Sequence, residues 1–311
     1  MNQTWHPKVS IIIPVYNGSN YMKEAIDSAL AQTYDNVEVI VVNDGSTDGG
    51  ETEKIALSYG DRIQYLRKEN GGVSSALNEG VRRMTGDYFS WLSHDDAYAP
   101  DKIRHQIDSL AEAKQERALA LCAYCFINET SERLAKTARR RFEAGTHDWE
   151  TVLMETLSHG TFNGCALLIP KVAFDECGLF HEGMRFSQDF LMWVQIFLAK
   201  YSLVYNAHED VFSRIHGKQV TQTGRAMFQK DSMTIGEIII PRLADLGGEK
   251  PFLYAFAMRN AKYGNGSVVK ACLRAGKFTI KQRISLWTKS VYGGIRPKLR
   301  KMYYRLFVRT K

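Results

Sequence analysis

Tyr88-Phe89-Ser90-Trp91-Leu92-Ser93-His94-Asp95-Asp96 is an aromatic, apolar run that stops at two adjacent carboxylates. The run reads as a buried strand. Like charges side by side at the edge of a core repel each other and are partly stripped of water, and both effects are costly. A divalent cation offsets them, because Mg²⁺ and Mn²⁺ take carboxylate oxygens and keep positions open for phosphates. A solvated turn into Ala97-Tyr98-Ala99-Pro100 is the plain alternative, so the choice rests on the remainder of the chain.

Upstream of this run the pattern repeats. Val9-Ser10-Ile11-Ile12-Ile13-Pro14-Val15 is a β-branched strand that leads into Tyr16-Asn17-Gly18, and a helix follows over about 21–32. Val37-Glu38-Val39-Ile40-Val41-Val42 runs into Asn43-Asp44-Gly45-Ser46-Thr47-Asp48. Ile63-Gln64-Tyr65-Leu66 leads to Asn70-Gly71-Gly72 and a helix that stops near Gly86. Pro100 opens another helix. Strands alternating with helices of this length indicate a mainly parallel, Rossmann-like α/β sheet covered by helices. In such sheets ligands bind at the carboxyl ends of the strands, which is where these polar groups fall. Neither G-x-G-x-x-G nor G-x-x-x-x-G-K-[ST] is present, so no dinucleotide fingerprint or P-loop supports another nucleotide chemistry.

With 311 residues, 44% hydrophobic and 24% charged, the chain can build one large α/β domain and an appendage. Its longest apolar candidate, Ala118 to Ile127, has ten residues and reads as a core strand rather than a membrane span. The N-terminus shows no cationic start followed by a hydrophobic stretch, so no secretory signal is expected. Five cysteines in apolar contexts fit reduced thiols of a cytoplasmic protein, and Cys122-x-x-Cys125 lacks a second pair at zinc spacing.

Six segments, in order, resemble the inverting family 2 glycosyltransferases with the GT-A fold. They are Pro14-Val15-Tyr16-Asn17, Asn43 to Asp48, Asn70 to Gly80, Gly86 to Asp96, Gln188-Asp189 and Arg214-Ile215-His216, within residues 8–220. The resemblance implies a catalytic domain over 1–223 that transfers a hexose or N-acetylhexosamine from a UDP-sugar to a hydroxyl of a glycan or lipid-linked saccharide. It further implies that Pro14, Tyr16, Asn17, Asp44, Asn70, Gly71, His94 and Asp95 bind the nucleotide-sugar. In that picture Tyr16 stacks on the base and Asp44 accepts the uracil imide N–H. Asp95, Asp96 and His216 hold Mn²⁺ or Mg²⁺, and Asp189 is the general base. Ser93 stands where the family has the first acid of its D-x-D motif, so weaker metal affinity is expected; Asn43 replaces another Asp and Gln188 a Glu, and with Ser93 these departures motivate a non-catalytic alternative. A nucleotidyltransferase on a similar sheet and a sugar-nucleotide-binding protein without catalysis are the alternatives. Helix-start acid, sheet-edge tyrosine and structural histidine are the plain readings of Asp189, Tyr16 and His216 taken singly.

The formal charge of +7 is unevenly placed. From Pro251 to Lys311 there is no Asp or Glu, and 15 of the 41 Lys and Arg fall there. That leaves 26 against all 34 acids in the first 250 residues, a balance of −8. Residues 224–311 read as a helical, basic extension. Ile280, Ile284, Trp287 and Val291 recur at helical spacing, as do Leu299, Met302 or Tyr303, and Leu306, with Lys298, Lys301, Arg305 and Arg309 mainly opposite. An apolar face backed by cations describes a helix lying on an anionic membrane surface, at the inner face of the cytoplasmic membrane. A helix packed on the catalytic domain is the plain alternative. No recognisable nucleic-acid module accompanies the charge, so nucleic acid is not an expected partner.

Overall fold

Residues 5–184, 186–217, 225–246 and 251–307 are described in the computed structural model, those at 225–229 and 295–307 for their backbone alone. The chain divides into two compact units, Met1–Val152 with Thr161–Gln222, and Leu153–Gly160 with Thr223–Lys311.

The first unit begins with β1 (Val9–Val15), α1 (Met22–Leu30), β2 (Val37–Asp44), α2 (Glu51–Leu57), β3 (Gln64–Lys68), α3 (Val73–Arg83) and β4 (Tyr88–Trp91). These strands line up as β3-β2-β1-β4, all parallel, so their carboxyl ends share one edge. All seven residues of β1 are buried, as a strand covered by helices on both faces requires. The carboxyl-end loops therefore meet on one rim, as the alternating strand and helix pattern predicts.

The continuation departs from a simple parallel repeat. It comprises β5 (Ala97–Tyr98), α4 (Lys102–Ala113), β6 (Ala118–Ile127), β7 (Arg133–Thr137), β8 (Gly145–His147) and α5 (Trp149–His159), whose last seven residues belong to the second unit. Then follow β9 (Leu167–Pro170), α6 (Val172–Cys177), α7 (Gln188–Leu198) and β10 (Ser202–Arg214). The short β9 runs antiparallel to both β4 and β6, and so joins the parallel half to a second half in which β6 and β10 are parallel. β5 and β8 add antiparallel to β10, and β7 to β6.

At the other end of the parallel strands, Glu38 binds the chain together. It accepts hydrogen bonds from Ser10 Oγ (2.5 Å) and from Thr85 N and Oγ1 (2.7 Å each), and it pairs with Lys8 Nζ at 2.9 Å. Burial pushes this carboxyl up, but the hydrogen bonds from Ser10, Lys8 and Thr85 outweigh it and hold the group at about 2.

The second unit is helical, with α8 (Arg225–Asp245), α9 (Phe252–Lys262), α10 (Gly266–Ala275) and α11 (Ile280–Phe307). Phe252, Phe256, Val268, Cys272 and Leu286 are buried. On α11, Ile280, Ile284, Trp287 and Val291 are exposed, Trp287 at 68%. At 3.6 residues per turn these four fall within about 60° of arc, with Lys281 and Arg283 flanking it on either side. The expected continuation of this stripe (Lys298, Leu299, Lys301, Met302, Tyr303, Arg305, Leu306) concerns side chains outside the described set, and Arg309 lies outside the described residues altogether. Among the described residues no helix is long and apolar enough to cross a membrane.

Because Glu38 titrates at about 2 in the fold against an ordinary 4.5, its stabilising share is complete above pH 4.5 and vanishes as pH falls through 2. The wild-type urea midpoint should therefore fall more steeply over that window than that of Glu38→Gln. Parallel curves would contradict this account.

Candidate active site

Three carboxyl-end loops are stitched together by side chains that the sequence places at their starts. Asn17, in the left-handed region at φ 50°, accepts from Thr47 N at 2.7 Å, and its own N–H donates to Ser46 Oγ at 2.9 Å. Asn43 Oδ1 accepts from Ser46 N at 2.9 Å. Pro14 is buried within β1, whereas Tyr16 just beyond it is 46% exposed and leaves its ring open to a planar group.

Asp44, at the end of β2, is 3% exposed and already well supplied with donors. Oδ1 accepts from Lys68 Nζ and Gly71 N, both at 2.9 Å, and Oδ2 from Gly72 N at 2.7 Å. A carboxylate offers about four acceptor positions, so one remains on Oδ2. Asn70 Nδ2 closes the loop on the Asp44 carbonyl at 2.8 Å. Gly72 has φ +86°, which a side chain would strain, and it starts α3 directly from this loop.

After β4 the two carboxylates separate in role. Asp95 Oδ2 meets His216 Nε2 at 3.0 Å, bringing together residues 121 positions apart. Asp96, expected beside Asp95 as a metal ligand, points into the interior. Its Oδ1 accepts from Arg214 N at 2.8 Å, and Oδ2 lies 3.4 Å from Cys165 Sγ. Burial first, and then the charge of Asp95, push the Asp96 carboxyl well above the usual carboxylate range. Burial holds His94 on the neutral side, with His216 adding to the effect and Asp95 opposing it. Gly18 makes room for that imidazole: a Cβ there would stand 2.6 Å from His94 Cδ2.

Arg214 is the anchor of this loop. Its buried guanidinium donates to Asp95 O (2.8 Å), Asn128 O (3.0 Å) and Ser131 Oγ (2.9 Å), and pairs with Glu24 of α1 at 2.5 Å. It also lies 4.5 Å from the centre of the Tyr21 ring. Arg-x-His in the sequence marks the place, but nothing in it names Glu24 as the partner.

Asp189 is the second residue of α7, where the helix dipole favours a carboxylate. Its Oδ2 accepts from Thr161 Oγ1 at 2.8 Å. Four residues later, Cys165 Sγ lies 3.4 Å from both Ser93 Oγ and Asp96 Oδ2. Four residues span at most about 14 Å. The segment 161–165 thus ties Asp189 to the carboxylate loop, and Gly164 lies against the Trp91 ring between them. Neither Thr161 nor Cys165 carries a motif in the sequence that would mark this link.

Among the described residues no group of three or more His, Cys, Asp and Glu is arranged to hold a metal alone. The oxygen and imidazole donors of Asp95 and His216 nevertheless suit Mn²⁺ or Mg²⁺ when further donors come from a substrate diphosphate.

The glycosyl transferase family 2 model matches residues 10–175, just over half the chain. An uncharacterized glycosyltransferase of Rickettsia prowazekii is 50% identical over 221 residues, covering 70% of this chain and 67% of that protein. The S. aureus TarS 1–349 crystal structure in complex with UDP-GlcNAc aligns over 92% of this chain and 91% of that one, with TM-score 0.65 and 16% identity. The mannosyltransferase PcManGT of Pyrobaculum calidifontis, in complex with GDP-Man and Mn²⁺, aligns over 93% and 88% with TM-score 0.59 and 17% identity. At those identities the likeness to the two structures speaks for the GT-A fold.

Glu24 is 41% exposed, but removing the buried Arg214 side chain leaves the acceptors Asp95 O and Asn128 O unmatched, at about 1–3 kcal/mol each. Arg214→Ala should lose roughly that much stability in chemical denaturation, and Arg214→Lys should recover only part of it, because an ammonium lacks the planar fork. A variant as stable as the wild type would show that the loop does not depend on this tie.

Proposed function

The chain belongs to glycosyl transferase family 2 and is a transferase enzyme, and from that premise we propose that it moves a sugar from a UDP-sugar to a hydroxyl of a glycan or lipid-linked acceptor with inversion. The observation that carries the reading is the 161–165 tether, which links a carboxylate at a helix start to the loop that carries Asp95 and its partner His216.

Inversion requires the acceptor oxygen to approach the anomeric carbon from the face opposite the diphosphate. Asp189 takes the hydroxyl proton, the oxygen bonds to the anomeric carbon, and the bond to the diphosphate breaks with its electron pair leaving on UDP. Thr161 Oγ1 donates to Oδ2 at 2.8 Å and Phe190 N donates to Oδ1 at 2.7 Å, and these two bonds orient the carboxylate that takes the proton. Asp95 and His216 would hold Mn²⁺ or Mg²⁺ together with the diphosphate, and Asp96 braces their loop from within. Such an ion, when bound, neutralises charge on the departing diphosphate as a Lewis acid. Tyr16 offers its exposed ring to the uracil, and the open position on Asp44 Oδ2 accepts the imide N–H. The Asn70-Gly71-Gly72 turn brings backbone close to the ribose or phosphates.

The second unit supports a membrane-facing role. Ile280, Ile284, Trp287 and Val291 form an exposed apolar stripe flanked by Lys281 and Arg283, in a region without a single acid. We assign it to peripheral attachment on an anionic membrane surface, each nearby cation contributing about 1 kcal/mol. A lipid-carried acceptor in bacterial surface polysaccharide assembly suits that placement.

UDP with Mn²⁺ should raise the melting temperature, and UDP-sugars should be turned over with release of UDP. Asp189→Asn should cut turnover by about 10²–10⁴-fold while leaving UDP affinity intact. Equal loss of binding and turnover would make Asp189 a structural residue. Trp287→Ser combined with Ile284→Ser should lower co-sedimentation with phosphatidylserine vesicles and leave UDP binding unchanged. Undiminished sedimentation of that variant would remove the membrane assignment.

A further inference from the structure

The hairpin that leaves β6 carries Arg133, Lys136, Arg139, Arg140 and Arg141, with no acid between Glu132 and Glu143. Arg133 is paired with Glu209, whereas Lys136 and Arg141 lie over aromatic rings. Lys136 Nζ lies 4.4 Å from the centre of the Phe126 ring, and Tyr124 meets Phe126 edge-on at 5.5 Å. The Arg141 guanidinium lies 4.9 Å from the centre of the Phe162 ring. Arg139 and Arg140 are exposed.

One chain adjacency and one electrostatic coupling relate this strip to the chemistry. Phe162 follows Thr161, the residue bound to Asp189. Tyr124, edge-on to Phe126, feels the charges at both ends: burial raises its phenol, while Arg141 pulls it down and Asp96 pushes it up. Cations meant for the leaving diphosphate belong beside Asp95 and His216. Arg141 instead stands on the Thr161 side, where the incoming hydroxyl must approach its base. Aromatic faces beside cations suit a sugar that carries negative charge.

Resting on the reading of Asp189 as general base, we propose that Tyr124, Phe126, Lys136, Arg140 and Arg141 form an acceptor subsite for an anionic group, phosphate or carboxylate, close to the reacting hydroxyl. The acceptor is therefore an acidic glycan or a diphosphate-linked saccharide rather than a neutral sugar.

The test uses the full chain with its donor subsite filled by UDP and Mn²⁺, and inorganic phosphate as probe. Calorimetry should detect a phosphate event that persists under saturating UDP. Arg140→Gln, at an exposed position, and Arg141→Gln should each weaken it by about ten-fold, whereas Arg141→Lys should retain most of it. Arg82→Gln, on α3, is the surface-charge control. Phosphate that binds only without UDP, or equally well in all variants, overturns the subsite. Failure of UDP itself to bind would instead sink the donor reading, so the two failures are distinct. A methyl glycoside phosphate and a polyprenyl-diphosphate sugar in detergent, run as competitors of phosphate, tell the two acceptor sources apart. The stronger competitor names the source, and competition by neither overturns the proposal.

Discussion

A guanidinium taken out of water must find an acceptor for nearly every N–H, and Arg214 finds them on three separate pieces of chain. Glu24 comes from α1, Asp95 O from the loop after β4, and Asn128 O and Ser131 Oγ from the β6–β7 turn. Its own backbone N–H reaches Asp96. No single one of these bonds is large on balance, yet none can be dropped without leaving a buried polar group unmatched. The geometry of Asp95 is therefore inherited from an arginine more than a hundred residues away, at the end of β10. His216, two residues further on, is delivered to Asp95 by the same strand. The carboxylate loop closes on its own turn, Asp96 N donating to Ser93 O at 3.1 Å, and this tertiary pairing then clamps it from outside.

A division of labour follows between residues that look alike in the sequence. Asp95 and Asp96 are neighbours of identical chemistry. One faces the rim and an imidazole; the other is sunk against Cys165 and a backbone amide. A buried carboxyl beside a charged one resists ionisation. Asp96 thus limits the repulsion that a twin pair of exposed charges would create. A similar split separates Asp44, which orders the Gly71-Gly72 turn, from Tyr16, which leaves its ring uncovered.

Much of this was legible in the chain, and the reason is local. Apolar runs ending in Asn17, Asp44, Asn70 and Asp95 report strand and loop together, because period and punctuation lie within ten residues. The stripe on α11 was readable for the same reason. The antiparallel insertion of β9 was not: four apolar residues, Leu167–Pro170, carry no mark of direction or partner. The inward turn of Asp96 and the pairing of Arg214 with Glu24 escaped as well, since they depend on which distant segments become neighbours. Asp189 was identifiable as a helix-start acid, but its link to the carboxylate loop through Thr161 and Cys165 exists only in three dimensions.

The tether between those last two residues acts as a ruler. With one end on Asp189 and the other on Asp96, its contour length sets an upper limit on the gap between the proposed base and the carboxylate loop. Evolution can lengthen or reshape the hairpins around it to admit new saccharides. An insertion or deletion inside this five-residue strap would change how far Asp189 can stand from the carboxylate loop. Descendants of this architecture should accordingly diversify in composition there while preserving the count.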